Sequence, residues 1–367
     1  MYKEIGSNFW IDPAETFGKN RLKNLENYHI IGSDIVFLST GRGAEGFVLN
    51  HIEQWKKKIR KIALIPSFTC ETVIRPFLNY GYQLYTYSLD SYFMLTGKML
   101  QEALEKSQAQ VVLVHRYFGF DTLIECEQVI EKYRQQGVVF IEDRTQCLYS
   151  NPKYIEFDYT IGSLRKWGGH PDGAYAVCKE GKFENKPREY NVILETAKIE
   201  AGHAKYRYIS GETEDKGEFL TLYQKAERIL EKEQRLYKIS PMAEAIQASM
   251  NIESLKKKRR RNYMFIYNCL AENKKIKILT PKVSCDDVPF YFVIFIKNRD
   301  ALQKGLCEKR IYTPIIWPRA NILPHICEEA ESFYENNLCL PIDQRYELDD
   351  MERMVDCLMA VIQEVLT

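Results

Sequence analysis

The first half of this chain alternates short apolar runs with segments of helical periodicity. This alternation limits the possible folds more than any other feature of the sequence. Runs such as 34–38, 62–65 and 111–114 are rich in Val, Ile and Leu, which is typical of buried strands. Segments between them, such as 43–55 and 124–136, place apolar residues at the spacing of one helix face. Strands that alternate with helices predict an α/β fold, with a mostly parallel central sheet and helices on both faces.

The second half of the chain has a different pattern. Residues 181–216 are charged, have few apolar positions and predict an irregular segment. A long amphipathic helix is predicted at 218–235, and strand-like and helical segments such as 289–296 follow it. We therefore expect a large α/β domain over residues 1–240 and a small C-terminal α+β domain over residues 241–367.

The bulk properties exclude several classes of function. The net charge is +1, so no overall field favours nucleic acid or a membrane surface. The ten cysteines are scattered without a C-x-x-C pair, which predicts reduced thiols and no metal site. The N-terminus lacks the apolar core of a signal peptide, and no apolar run reaches the length of a membrane span. The cytoplasm is the expected compartment.

The stretch 138–173 carries two groups that one cofactor requires together. The apolar run 138–141 is followed by two acids, the second of which is Asp143, where a buried strand would end at the ligand-binding edge of the sheet. Lys166 follows a second strand-like run. Pyridoxal phosphate needs a lysine to hold it as a Schiff base and a carboxylate to keep its ring nitrogen protonated. Each residue alone also fits an ordinary role, Lys166 on the surface and Asp143 in a turn or helix cap, but the pair predicts this cofactor.

The segment from Gly41 to Gly46 lies between a strand-like run and a helical pattern and has three interpretations. It matches the dinucleotide fingerprint G-x-G-x-x-G of nicotinamide-dependent oxidoreductases. That fingerprint also requires an acid at the end of the next strand, where residues 65–68 are Ile-Pro-Ser-Phe. In the second interpretation, the backbone amides of Arg42, Gly43 and Ala44 bind a phosphate at the start of a helix. The third is a tight turn without a ligand.

Six consecutive Lys and Arg residues at 256–261 form the most basic run of the chain. Such a run can attract a nucleotide diphosphate, an acidic partner or a membrane surface. A solvated helix face is the ordinary interpretation.

Short motifs follow one another along most of the chain, at 39–44 (STGRGA), 66–69 (PSFT), 115–119 (HRYFG), 141–146 (IEDRTQ), 163–167 (SLRKW), 171–174 (PDGA), 316–318 (IWP) and 340–346 (LPIDQRY). In their order and spacing they resemble the DegT/DnrJ/EryC1 aminotransferases. These are fold-type-I pyridoxal phosphate enzymes, many of which aminate keto sugars bound to nucleotides. Some relatives have histidine in place of the lysine and dehydrate sugars, and Lys166 argues against that branch.

The resemblance implies a role for individual residues. Lys166 would form the Schiff base, and Asp143 would pair with the ring nitrogen. Gln146 would reach the phenolic oxygen of the ring. The other residues expected at the cofactor are Gly41, Arg42, Gly43 and Ser163 around the phosphate, and Cys70 where the family places an aromatic that stacks on the ring.

The chain departs from the family pattern at three places. The family serine usually precedes the lysine by five residues, whereas Ser163 precedes Lys166 by three, so Arg165 is an alternative phosphate ligand. Phe68 is the aromatic nearest to Cys70. The G-x-N-x-R segment, which shapes the phosphate and sugar-nucleotide site in the family, is absent between 181 and 235.

The sequence thus predicts a pyridoxal phosphate-dependent aminotransferase. By the resemblance, its donor would be an amino acid such as glutamate and its acceptor a keto sugar in polysaccharide or glycan biosynthesis. The resemblance also implies a homodimer. Two alternatives stay open, a nicotinamide-dependent oxidoreductase that uses the Gly41–Gly46 segment and a pyridoxal phosphate-binding protein without transaminase activity.

Overall fold

A computed structural model of the chain describes residues 4–15, 17, 22, 25–56, 58–233, 235–323 and 326–365. The strands are β1 (Ile5–Gly6), β2 (Asp34–Leu38), β3 (Ile62–Pro66), β4 (Gln83–Tyr87), β5 (Leu95–Thr96), β6 (Val111–His115), β7 (Leu123–Ile124), β8 (Val139–Asp143), β9 (Tyr159–Ser163), β10 (Ala174–Cys178), β11 (Lys277–Ile278), β12 (Phe292–Phe295), β13 (Ile311–Tyr312) and β14 (Asn337–Leu340). The α-helices are α1 (Gly41–Trp55), α2 (Glu71–Asn79), α3 (Gly97–Ser107), α4 (Glu127–Gln135), α5 (Val192–Ser210), α6 (Gly217–Lys232), α7 (Pro241–Ser249), α8 (Ile252–Leu270), α9 (Arg299–Glu308), α10 (Glu328–Asn336) and α11 (Leu348–Val365).

The central sheet has the strand order β2-β10-β9-β8-β6-β3-β4. From β9 to β4 each strand pairs in parallel with its neighbour. Strand β10 is antiparallel to both of its neighbours, β2 and β9. The prediction of a mostly parallel sheet is therefore confirmed.

The sheet is buried on both faces because its strands alternate between two apolar cores. Val111 and Leu113 of β6 point into a core with Phe47 and Val48 of α1. Val112 and Val114 point to the opposite face, into a second core. Since neighbouring residues of a strand face opposite sides of a sheet, short runs of Val, Ile and Leu fit a sheet covered by helices on both faces.

The parallel strands end at one edge of the sheet, and the candidate functional residues follow these ends. Strand β6 ends at His115, β8 at Asp143 and β9 at Ser163. Lys166 comes directly after β9 in a short 3₁₀ helix, and α1 begins at Gly41 after β2. The carboxyl edge of such a sheet is where open α/β folds bind ligands.

The prediction of an irregular segment at 181–216 is wrong over α5, which packs against α6. Between Leu194 and Tyr208 the buried face of α5 consists of small residues such as Ala201 and two lysines, so the sequence shows no continuous apolar stripe. Lys198 forms an ion pair with Glu227 of α6, and Lys205 donates a hydrogen bond to the Asn8 carbonyl. These tertiary partners make it possible to bury charged side chains on a helix face.

The C-terminal part of the chain has its own antiparallel sheet, β11-β12-β14, next to α8, α9 and α11. Strand β1 near the N-terminus pairs in parallel with β13, so residues 5–6 lie beside residues 311–312. The division into domains at residue 240 stays a prediction. In the described part of the chain, each helix is too short or too polar to cross a bilayer.

Candidate active site

A cavity of about 300 Å³ opens at the carboxyl edge of the central sheet, and we call it the sheet-edge cavity. Its walls come from the start of α1, the loop before α2, the ends of β8 and β9, and one side of α6. The residues predicted at the site that line it are Gly41, Arg42, Cys70, Asp143, Gln146, Ser163 and Lys166. Gly43 is not part of this wall. Residues far apart in sequence thus share one cavity, as the parallel sheet predicts.

Asp143 is buried and held by a short chain of hydrogen bonds. Its Oδ1 accepts from the Thr145 amide at 2.7 Å, and its Oδ2 lies 3.2 Å from His115 Nδ1. His115 Nε2 lies 2.7 Å from the Thr69 hydroxyl. Burial by itself favours the neutral acid, but the hydrogen bond and charge of His115 and the Thr145 hydrogen bonds outweigh it and lower the pKa of Asp143. Asp143 is therefore a preformed carboxylate whose orientation is fixed by the Thr145 amide and His115.

The Lys166 side chain is accessible to solvent within the cavity, and the protein around it excludes much of the water that would hydrate its amine. This desolvation, together with the positive charge of Arg165, lowers the pKa of Lys166 to about 8. Among the described residues its amine has no hydrogen-bond or ion-pair partner. A lysine with such a pKa supplies a neutral, nucleophilic amine near pH 8.

The start of α1 offers unpaired backbone amides to the cavity. Thr40 caps the helix, because its hydroxyl accepts from the Gly43 amide at 2.9 Å and its carbonyl accepts from the Ala44 amide. A Cβ atom at position 43 would lie 2.9 Å from the Thr40 hydroxyl, which explains the glycine there. The amides of Gly41 and Arg42 have no partner in the described part of the chain. Of the amides predicted to bind phosphate, these two are the ones that the helix cap leaves available.

Two side chains from the β9 end lie next to this helix start. A Cβ atom at Gly41 would be only 3.6 Å from the Cβ atom of Ser163, so the two residues are in contact. Arg165 lines the same cavity, and its buried Nε has no hydrogen-bond partner. A helix N-terminus flanked by a hydroxyl and a guanidinium is well suited to an anion such as phosphate.

The remaining predicted residues differ in how they face the cavity. The Oε1 atom of Gln146 accepts from the Phe118 amide at 2.9 Å, which leaves its NH₂ group available as a donor. Cys70 precedes α2 and lines the cavity. Phe68 is fully buried in an aromatic cluster and does not line the cavity. The aromatics that do are Phe290, Tyr291 and Trp317. The Trp317 ring lies 5.4 Å from that of Phe68 and 5.9 Å from that of His115.

The sequence analysis missed a second acid in the cavity. Glu45 lies on α1, is 1% exposed, and its Oε1 has no hydrogen-bond partner. Burial first, and then the negative charge of Asp143 and the nearby Cys70, raise its pKa well above the ordinary value. The surroundings therefore favour the neutral acid at Glu45 and the carboxylate at Asp143. An acid among Ala44 and Val48, on the apolar face of α1, is the signal that could have identified it.

A second cavity of about 370 Å³ shares Lys166 with the sheet-edge cavity. It is lined by the N-terminal segment 6–9, by residues around β13, and by Arg259, Asp343 and Arg345. We call it the N-terminal cavity. Among the described residues, no cluster of His, Cys, Asp and Glu side chains could hold a metal ion in either place.

The topology contradicts the dinucleotide interpretation of the Gly41–Gly46 segment. A dinucleotide-binding unit places the strand before the glycine loop next to the strand after the helix. Here β2 lies at the edge of the sheet beside β10, whereas β3 lies between β6 and β4. The glycine segment therefore begins a helix in a different fold.

The central sheet is mostly parallel with β10 antiparallel, and an acid and a lysine line the cavity at its carboxyl edge. Solved structures with this fold include a DegT/DnrJ/EryC1/StrS aminotransferase from Brucella abortus, with a TM-score of 0.63, 14% identity, and coverage of 91% of this chain and 87% of that one. The aminotransferase PseC of Helicobacter pylori, involved in pseudoaminic acid biosynthesis, has a TM-score of 0.67 and 12% identity over 92% of this chain and 89% of its own.

Spr1654 of Streptococcus pneumoniae, a proposed sugar aminotransferase solved in its PLP-form, has a TM-score of 0.68 and 14% identity over 99% of this chain and 100% of its own. These likenesses show that the chain has the fold of the DegT/DnrJ/EryC1/StrS aminotransferases. No protein-family model and no curated protein matches the sequence.

Proposed function

We propose that this protein is a pyridoxal phosphate-dependent aminotransferase that moves an amino group from an amino acid to a keto sugar. The observation that carries the proposal is the pairing, in one cavity, of a preformed carboxylate at Asp143 with a lysine amine of lowered pKa at Lys166. Perturbed groups that converge on one cavity are typical of an active site.

The residues of the sheet-edge cavity fit the chemical groups of this cofactor. The amides of Gly41 and Arg42 are free to hold its phosphate. Asp143, whose pKa is lowered, would accept a hydrogen bond from the ring nitrogen, and the NH₂ group of Gln146 would donate to the phenolic oxygen. Lys166 is the amine of attachment. The orphaned Oε1 atom of Glu45 shows that the cavity wall has polar groups that the protein itself does not satisfy.

Once bound, the cofactor supplies an electron sink for negative charge at the carbon that carries the amino group. The chain supplies the rest. Asp143 keeps a positive charge on the ring nitrogen because an anion nearby favours the protonated form. Lys166 Nζ acts as the base that removes the proton from the α-carbon of the donor. The Thr69–His115 chain holds the Asp143 carboxylate in one orientation.

The cofactor is tested by absorption and mass spectrometry. Purified protein incubated with pyridoxal phosphate should be yellow, and borohydride should remove the visible band. Mass spectrometry of a tryptic digest of the reduced protein should place the adduct on Lys166. An adduct on another lysine, or no visible band, would contradict the assignment.

Transamination is tested by adding amino acids. L-Glutamate should convert the visible band to that of the pyridoxamine form and release 2-oxoglutarate. If no amino acid produces this change, the protein binds the cofactor without transaminase activity. The solved PLP-form of Spr1654 and the role of PseC in pseudoaminic acid biosynthesis favour the aminotransferase and a sugar acceptor.

A homodimer is part of the proposal by analogy with fold-type-I enzymes, which build each site from two subunits. Light scattering after size-exclusion chromatography should give twice the chain mass of 43.1 kDa. A monomer with full activity would contradict a shared site.

A further inference from the structure

The N-terminal cavity contains an arginine that the fold has buried without neutralising it. Arg259 of α8 is 1% exposed and lines this cavity. Its Nε donates to Gln344 Oε1 at 3.0 Å, and its Nη1 donates to the carbonyls of Pro289 and Phe290 at 3.1 and 3.0 Å. Its Nη2 has no partner among the described residues. All of these acceptors are neutral, so none of these contacts supplies a counter-charge.

Asp343 attracts Arg259 electrostatically, but its direct contacts are with Arg345. Asp343 is the acid in the wall, and it is bound by Arg345 through Nε–Oδ1 and Nη2–Oδ2 contacts of 2.7 and 2.8 Å. Arg345 also donates to the carbonyls of Ser7 and Asn8, so this ion pair fixes the N-terminal segment as one wall. With that pair neutral, Arg259 and Lys166 leave the cavity positive. Because an unmatched buried charge is unfavourable, the cavity is complementary to an anion.

The guanidinium is also held in a fixed orientation. It lies against the Trp167 ring, with its central carbon 4.6 Å from the ring centroid. Three hydrogen bonds and the Trp167 contact hold the group in place and leave Nη2 as the unpaired edge of a side chain that lines the cavity. Thr313, which is 2% exposed and lines the same cavity, has a hydroxyl without a hydrogen-bond partner. A preorganised guanidinium edge and a nearby hydroxyl are suited to a carboxylate.

We propose that the N-terminal cavity binds the carboxylate of the amino-acid donor and that Arg259 is its anchor. This inference rests on the proposed function and specifies the substrate class of the same site. The α-carbon of an amino acid carries both the reacting amine and the carboxylate, so its carboxylate must bind close to Lys166. Lys166 lines both cavities, which places the anion site beside the reacting amine. The phosphates of a sugar nucleotide lie many bonds from its carbonyl and do not fit this requirement.

The test compares donors with and without a carboxylate in the cofactor-loaded protein. L-Glutamate and propan-1-amine are each mixed with the wild type, R259Q and R259K, and the loss of the visible band is followed. R259Q should raise the KM for glutamate by about 10- to 100-fold, the usual effect of removing a hydrogen bond to a charged group. The rate with propan-1-amine should stay within about twofold. R261Q changes a residue on the same helix but outside the cavity and is the matched control. It should change neither the KM for glutamate nor the rate with propan-1-amine.

Several results would overturn the proposal. If R259Q lowered the reaction rate equally with glutamate and with propan-1-amine, Arg259 would only support the fold. If R259Q does not fold, R259K and T313V test the proposal instead. Each should raise the KM for glutamate and leave the rate with propan-1-amine unchanged. An unchanged KM in both would refute the anchor.

Calorimetric titration with maleate and with inorganic phosphate separates this inference from the proposed function. Maleate should bind to the wild type and bind at least tenfold more weakly to R259Q, whether or not the protein forms the visible band. Phosphate binding that depends on Arg259 while maleate does not bind would assign the cavity to a phosphate group instead. Absence of the visible band with Arg259-dependent maleate binding would refute the proposed function but keep the carboxylate site.

Discussion

The two cavities that meet at Lys166 are built in different ways. The sheet-edge cavity consists mainly of strand ends and a helix start, and its Asp143 carboxylate is satisfied by its own hydrogen-bond chain. The N-terminal cavity joins a segment near residue 6 to residues beyond 300, and its arginine keeps an open edge. In a parallel sheet the reactive residues lie at the carboxyl edge because all the strands end there. The residues that recognise a substrate depend on tertiary contacts that differ from one protein to the next.

This comparison predicts that changes in the sheet-edge cavity affect the reaction with every donor. Changes in the N-terminal cavity should instead distinguish donors by their carboxylate.

Replacement of Lys166 by alanine should remove the reaction entirely. The variant loses both the attachment amine and the base for the α-proton, so the rates with glutamate and with propan-1-amine should each fall by more than about 10³-fold. Circular dichroism should show that the fold is retained. If K166A keeps measurable transaminase activity in a single-turnover assay, another residue performs the proton transfer.

Asp143→Asn preserves the shape of the side chain and removes its charge. The rate should fall by about 10²- to 10³-fold with either donor, the range found when one preorganised electrostatic group is removed from an active site. Single-turnover kinetics of the glutamate half-reaction measure this. If the rate fell with glutamate but not with propan-1-amine, Asp143 would act in donor recognition and not in the reaction itself. That result would contradict the different roles assigned to the two cavities.

The pH dependence of cofactor attachment should follow Lys166. Its lowered pKa of about 8 means that the neutral, reactive amine forms as the pH rises through 8 rather than near 10.5. The rate at which the visible band appears on adding pyridoxal phosphate to cofactor-free protein should rise about tenfold from pH 7 to pH 9 and then level off.

Two variants test the sign of this pH effect. Arg165 lowers the pKa of Lys166, so R165Q should move the profile to higher pH. Glu227 raises that pKa, so E227Q should move it to lower pH, by less because the Glu227 side chain is 49% exposed. Shifts in the same direction would contradict the electrostatic explanation.

Removal of the helix cap should have the smallest effect. In T40V the Gly43 amide loses its acceptor, and the free energy of unfolding should fall by about 1 kcal/mol in a urea titration. T40S keeps the hydroxyl and serves as the control. The cofactor should bind more weakly to T40V because the start of α1 is less ordered. The ratio of rates with glutamate and propan-1-amine should not change.

The sheet and its edge could be predicted because local patterns encode them. The runs 111–114 and 138–141 are short, apolar and β-branched, and both are strands of the central sheet. Once these strands are parallel, the residues that follow them must meet at one edge, so Asp143 and Lys166 could be brought together from the sequence.

Other residues could not be placed because their environment depends on distant partners. Arg259 lies within the basic run 256–261, where its neighbours Lys258 and Arg261 pair with Glu347 near the surface. Only the packing of α8 against Trp167 and residues 289–290 buries Arg259. Helix α5 was missed for the same reason, since its buried lysines find their partners in other segments.

The sequence by itself determined which elements form and which of their ends carry an acid, a lysine and a helix start, because hydrophobic periodicity and turn chemistry act over a few residues. The tertiary structure decided the charge states of Asp143, Lys166 and Glu45, since these depend on burial and on neighbours from other strands and helices. It also decided that the N-terminal segment and Arg259 enclose a second cavity at the same lysine. Such contacts join residues hundreds of positions apart, and no local pattern in the chain specifies them.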